Sequence, residues 1–136
     1  MIPTVLVTDT HPLVWYLAAQ SGKLAPAVRQ AFDDAVAGDR AIWIPTVVLW
    51  EISLLVKLDK IRLTVPLEEY LEQRFFARGL HTTDLLPEDI VRSHNLRFTS
   101  DPWDTMIVAV ALRLDCPLIT KDAVIHGEGP CPIFWR

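Results

Sequence analysis

The sequence predicts an α/β fold, a central parallel β-sheet flanked by α-helices in a three-layer α/β/α arrangement. Three observations carry the prediction. Short apolar runs at 4–8, 41–44 and 118–120 are separated by longer segments with helical periodicity. These runs are apolar without strict alternation, as in strands covered on both faces. Proline and glycine sit where helices between such strands begin and end.

The elements follow in order. Residues 4–8 form the first strand, and a helix runs from Pro12 to about Ala19, where Ser21-Gly22 breaks it. A second helix covers 26–37, with Pro26 at its start and Gly38 at its end. Ala41-Ile42-Trp43-Ile44 is a buried strand. Pro45-Thr46 then opens a helix of about a dozen residues, with Thr46 as N-cap. Residues 59–66 are a polar connection. A helix over 67–78 places Leu67, Tyr70, Leu71 and Phe75 on one face, and Gly79 ends it. Leu80 to Leu85 is a third strand. Pro87 opens a helix reaching about His94, and a longer one runs from Pro102 to Leu114. Leu118-Ile119-Thr120 and Ile133-Phe134-Trp135 complete the sheet.

The bulk properties bound the function. A chain of 136 residues suits one domain, spanning 1–136, and 51% hydrophobic residues can fill its core. No apolar run approaches the roughly 18 residues of a membrane span. No basic-then-apolar leader opens the chain, so a cytoplasmic protein is expected. Cys116 and Cys131 form no CxxC and read as reduced, partly buried thiols, with a disulfide between them as the alternative. A net charge of −4 argues against a dedicated basic nucleic-acid binder, unless bound cations offset a cluster of carboxylates.

Such a cluster is the chain's main signal. Asp9 ends Val5-Leu6-Val7-Thr8. Glu51 interrupts the apolar run from Val47 to Val56. Asp104 opens the segment Thr105 to Leu112, and Asp122 closes Leu118-Ile119-Thr120-Lys121. Carboxylates beside buried apolar surface are costly unless paired, protonated or bound to a cation. Glu51 has only Val47, Val48, Leu54 and Leu55 at helical contact spacing. Right-handed crossovers put the C-terminal ends of parallel strands on one edge, where ligands bind in open α/β sheets. Asp9 and Asp122 follow strands onto that edge. Asp104 starts a helix there, and Glu51 lies about one turn into another. Two carboxylates about 5 Å apart repel by roughly 3 kcal/mol at an effective dielectric near 20. Four brought together imply a hard cation with oxygen ligands, Mg²⁺ or Mn²⁺ rather than Zn²⁺.

The aspartates also have structural roles open to them, and Glu51 could instead meet a distant Arg or solvent. Asp9 can cap the helix near Pro12, and Asp122 can be a turn residue. In Asp101-Pro102-Trp103-Asp104, Asp101 suits the N-cap and Asp104 the third helical position. Capping is therefore assigned to Asp101, with an outer-shell role left open to it, and the cation-facing role to Asp104. The histidines, His11, His81, His94 and His126, are scattered, and only His11 lies near an acid of the set. Trp43, Trp50 and Trp103 read as core, whereas Trp15 and Trp135 are candidates for an interface.

In order along the chain, Val7-Thr8-Asp9-Thr10-His11-Pro12-Leu13-Val14-Trp15, then Leu49-Trp50-Glu51-Ile52-Ser53 with Lys57-Leu58 and Lys60-Ile61, then Asp101-Pro102-Trp103-Asp104-Thr105-Met106-Ile107-Val108-Ala109-Val110-Ala111, then Ile119-Thr120-Lys121-Asp122 resemble the PIN-domain nucleases, specifically the VapC-type toxins of VapBC toxin–antitoxin pairs. The resemblance spans essentially the whole chain. It implies a PIN-like fold and an Mg²⁺-dependent endoribonuclease, with Mn²⁺ as a substitute. Its four acids fall on Asp9, Glu51, Asp104 and Asp122, with Thr10, Asp101 and Thr120 as auxiliary residues. It further implies an RNA substrate, a VapB-like antitoxin and a homodimer. A basic groove is expected, with Arg40, Arg97, Arg113 and Lys121 as candidates. One departure is Thr105, where an Arg commonly follows the third acid. Competing readings are a catalytically inactive PIN-fold binding module, an Mg²⁺-dependent phosphatase and a receiver domain. The last two need an acidic pair after the first strand, where Thr10 and His11 stand instead.

Overall fold

The computed structural model describes residues 1–74 and 78–136. Its five strands are β1 (Val5–Thr8), β2 (Ala41–Pro45), β3 (Leu80–Thr83), β4 (Leu118–Ile119) and β5 (Ile133–Phe134). They form one sheet in the order β3-β2-β1-β4-β5, with every neighbouring pair parallel. The helices are α1 (Thr10–Leu17), α2 (Pro26–Ala37), α3 (Thr46–Lys57), α4 (Leu67–Glu69), α5 (Pro87–Asn95), α6 (Pro102–Leu114) and α7 (Ala123–Glu128). The architecture is the expected α/β/α with a central parallel sheet.

The chain builds outward from β1 through β2 to β3, then returns to lay β4 and β5 on the other side of β1. The direction of winding therefore reverses between β1 and β4. Val7 pairs with Leu118 and Thr8 with Ile119 across that seam. Crevices for ligands open at such reversal points, beyond the carboxyl ends of the strands. Leu6, Val7, Ile42, Ile44, Leu118 and Ile119 are fully buried, so the central strands are covered on both faces as their composition predicts. Leu13, Phe32, Ile52, Ile107 and Val108 supply helical partners to that core.

Several boundaries differ from expectation for identifiable reasons. α1 begins at Thr10 rather than Pro12, because the Asp9 carboxylate takes the Thr10 N–H at 2.7 Å and caps the helix there. Thr46 is not the cap of α3. Pro45 holds that position without a side-chain bond, and Thr46 is the first helical residue. β3 stops at Thr83, and the carbonyl of Asp84 beyond it is taken by Arg113. Of the helix expected over 67–78, the described residues up to Arg74 form the single turn α4, which passes into a π-helical turn over Tyr70–Arg74. Tyr70 is fully buried there, donating to the Leu17 carbonyl at 3.2 Å, while Phe75 lies outside the described residues. α7 has no counterpart among the elements the sequence predicts. Trp50 is not core: it is 60% exposed and meets Trp103 edge-on at 6.3 Å.

Gly79 is required by close approach. Its N–H bonds the Ala35 carbonyl at 2.9 Å at the end of α2, and a Cβ would lie 2.0 Å from the carbonyl oxygen of Arg40. Among the described residues, no helix is long and apolar enough to cross a membrane.

Candidate active site

A cleft of about 320 Å³ opens at the β1/β4 seam, lined by Asp9, His11, Pro12, Trp15, Glu51, Asp101, Asp104, Lys121 and Asp122. All five acids singled out in the sequence thus face one cavity. They arrive from four places: the end of β1, the second turn of α3, the start of α6 and the end of β4.

Asp9 is the innermost, at 7% exposure. Its N–H bonds the Ile119 carbonyl at 2.9 Å, which ties the end of β1 to β4. One carboxylate oxygen accepts the Thr10 N–H, and the other accepts the Thr120 hydroxyl at 2.7 Å. Thr120 is fully buried and its oxygen also accepts the Asp122 N–H at 3.1 Å, so one hydroxyl positions two acids. Thr10 does the same on the other side: its backbone holds Asp9 while its hydroxyl donates to Glu51. Both threonines therefore orient carboxylates.

Asp101 takes the capping role the sequence assigns it, and Asp122, read from sequence as a turn residue, is an N-cap as well. Asp101 accepts the Trp103 N–H at 2.9 Å, with Pro102 as the first residue of α6. Asp122 accepts the N–H groups of Val124 and Ile125, both at 2.9 Å, and starts α7. α7 is tied back by His126 Nε2, 2.7 Å from the Thr120 carbonyl oxygen. Asp104 is alone of the five in having a carboxylate that accepts no hydrogen bond from the described residues.

The electrostatics follow from this crowding. Burial pushes the Asp9 carboxyl above its usual range, against the bonds from Thr120 and Thr10, and Asp122 adds repulsion. Burial likewise raises Glu51, opposed by the Thr10 hydroxyl and reinforced by Asp9. Asp104 is pushed up to about 7, first by burial and then by the charges of Asp101, Asp9, Asp122 and Glu51. Among the described residues, no group of three or more His, Cys, Asp or Glu side chains is arranged to hold a metal ion. Most of these carboxylates are turned onto protein donors, and repulsion opposes a closer approach. The donors are nevertheless all hard oxygens, and a cation would relieve the repulsion that raises Asp104. On donor chemistry the residues fit a hard divalent ion, without a closed ligand set in place.

The basic candidates divide. Lys121 lines the cleft. Arg97 is exposed on the loop before α6, bonding the His94 carbonyl at 2.8 Å. Arg40 is excluded: it precedes β2 at the opposite edge of the sheet, where it pairs with Asp34 at 3.0 Å and bonds the Ile2 carbonyl. Arg113 is excluded too, because it pairs at 2.8 Å with Asp89, which has no exposure. Thr105, standing where the resemblance expects Arg, accepts from Ser93 at 2.9 Å and donates to the Pro102 carbonyl at 3.1 Å, fastening α5 to the start of α6. Trp15, a candidate interface residue by sequence, is a wall of the cleft. Its spacing of four from His11 on α1 is the signal that places it beside the acids.

A family model described as PIN domain matches residues 6–126. Ribonuclease VapC22 of Mycobacterium tuberculosis (strain ATCC 25618 / H37Rv) is 27% identical over 135 residues, covering 96% of this chain and 97% of that protein. Among solved structures, the chain resembles VapBC2 from Rickettsia felis bound to a promoter DNA fragment, with a TM-score of 0.69, 16% identity and coverage of 97% of this chain and 99% of that one. A toxin–antitoxin complex from Klebsiella pneumoniae gives a TM-score of 0.61 at 19% identity, covering 94% of this chain and 99% of that one. With a family match over most of its length, and a relative aligned over nearly all of it, this chain belongs to the PIN domain family as a homologue of VapC-type proteins.

Proposed function

We propose that this chain is a single PIN domain over residues 1–136 that acts as an Mg²⁺-dependent endoribonuclease, the toxin of a VapBC-type module working in the cytoplasm. The observation that carries the reading is the convergence of Asp9, Glu51, Asp104 and Asp122 on one cleft at the strand-order reversal. These four would hold Mg²⁺, with Mn²⁺ as a substitute. When bound, the ion supplies Lewis acidity, making water a better nucleophile and neutralising charge on the phosphoryl oxygens. Thr120 and Thr10 orient the carboxylates of Asp9 and Glu51 through the bonds described. Asp101 fixes the start of α6, and with it Asp104, while lining the cleft as an outer acid. Lys121 on the cleft wall can neutralise a bound phosphodiester.

A VapB-like antitoxin and a second copy of the chain are the proposed protein partners. The exposed Trp50, in an apolar cleft with Trp103, Leu67, Leu71, Leu85 and Met106, supports contact with a protein. The competing reading is an inactive PIN-fold binding module, favoured by the lack of a preformed metal-holding group among the described residues. Incubating cellular RNA with antitoxin-free protein in Mg²⁺, Mn²⁺ or EDTA, beside Asp104→Asn, separates the two. Discrete metal-dependent products that the variant fails to make support the nuclease. Intact RNA with a folded, metal-free protein supports the module.

A further inference from the structure

A second cavity, of about 400 Å³, adjoins the acidic cleft and shares His11 and Trp15 with it. Its charge is opposite. Lys23, Lys60 and Arg62 line it and no carboxylate does. All three cations are exposed, and none forms an ion pair among the described residues. They come from separate segments: Lys23 from the turn after α1, Lys60 and Arg62 from the connection after α3. Trp15 stands between the two cavities. Lys23 Nζ lies 5.8 Å from its ring on the basic side, and Lys121 Nζ lies 5.9 Å from it on the acidic side. The indole is partly exposed and braced edge-on by Trp135 at 6.4 Å.

Building on the nuclease reading, we propose that this basic cavity is the subsite for the single-stranded RNA flanking the scissile phosphate, with Trp15 as its stacking platform and Lys60 and Arg62 as its phosphate-binding cations. The acidic cleft by itself repels a phosphodiester, and the net charge of −4 adds no general attraction. A strand entering through the basic cavity passes from cations to acids over one aromatic wall. Its next base meets the indole face, an interaction open to any base but only when it is unpaired. Lys23 then turns from the ring to the backbone. The subsite thus selects single strands over duplex and is tolerant of sequence at that position.

The test separates this proposal from the nuclease reading. Binding of a short single-stranded RNA of mixed sequence is followed by anisotropy in EDTA, over a range of salt. Lys60→Gln/Arg62→Gln is expected to weaken binding about tenfold. It should also flatten the salt dependence by about 0.7 in log–log slope for each phosphate that is no longer neutralised. Trp15→Phe is expected to weaken binding about threefold, and to lose that effect on an RNA with abasic ribose throughout. In Mg²⁺, the double variant should raise KM more than it lowers kcat. Wild-type affinity and salt slope in the double variant overturn the subsite. So does a Trp15→Phe defect of equal size on abasic RNA, which marks a structural role. Failure of the wild-type protein to cleave RNA with any divalent ion overturns the nuclease reading and leaves the binding results to decide the subsite.

Discussion

Replacing Asp104 with Asn should make the metal-free protein more stable, although the change is expected to abolish cleavage. Asp104 carries a pKa of about 7 in the fold against 3.8 in the unfolded chain. The folded state therefore holds the proton more tightly than the unfolded state does. Stability is lost as pH rises from the unfolded value through the folded one, and the cost is complete above about pH 7. Roughly 3 units at 1.36 kcal/mol each would be about 4 kcal/mol, and partial exposure to solvent screens this to about 2 kcal/mol. Asn keeps the shape and carries no charge. Because the Asp104 carboxylate accepts no hydrogen bond from the described residues, the replacement costs no such bond. Asp9 would be a poorer choice, since both of its oxygens accept hydrogen bonds. Urea unfolding in EDTA at pH 8 should show the variant ahead by about 2 kcal/mol, and at pH 5 by less than half as much. Saturating Mg²⁺ should reverse the order, because it stabilises the protein that binds it, by about 2.7 kcal/mol at a hundred times Kd. A variant no more stable than wild type at pH 8 in EDTA, or a gap that does not shrink on acidification, refutes the claim that the Asp104 charge is held against burial and unrelieved repulsion.

Other perturbations probe the remaining interactions. Thr120→Val removes the hydroxyl that positions Asp9 and Asp122, so Mn²⁺ affinity by calorimetry should fall about tenfold, while far-UV circular dichroism stays unchanged. Arg113→Ala strands the fully buried Asp89, which should cost about 3 kcal/mol in urea unfolding, and Asp89→Asn in the same background should recover part of the loss. Gly79→Ala forces a Cβ to within 2.0 Å of a backbone oxygen and should lower stability by about 3 kcal/mol, whereas Gly22→Ala, with open space around it, should change thermal stability little.

The acids are more fully legible in the sequence than the rest of the site. Each of Asp9, Glu51, Asp104 and Asp122 breaks an apolar segment, and such a break is visible without a structure. Parallel topology then brings strand ends to one edge, which makes their convergence an expectation. What one carboxylate does with its second oxygen is not legible. Thr120 reaches Asp9 across 111 residues, and Thr10 reaches Glu51 across 41, pairings that no local pattern encodes. The burial of Asp89 is equally hidden. It lies in a polar helix, and its partner Arg113 is 24 residues away on α6. α7 is hard to read because six residues containing a glycine make a weak helical pattern. It forms because Asp122 caps its start and His126 meets the Thr120 carbonyl. Trp50 resembles core by its apolar neighbours, yet α3 turns it outward, a matter of helix phase rather than composition.

The seam between β1 and β4 has a bearing on when the molecule becomes competent during synthesis. A ribosome delivers β1, β2 and β3, with Asp9 and Glu51 among them, well before Asp104 and Asp122 emerge. Until β4 docks against Val7 and Thr8, Asp9 lacks the Thr120 hydroxyl and the crevice lacks the wall that Lys121 and Asp122 supply. An emerging chain is thus inert until nearly its last strand is in place, and a chain cut short before β4 stays inert however well its first half folds. On the nuclease reading proposed above, RNA cleavage would be withheld by chain connectivity until translation is almost complete.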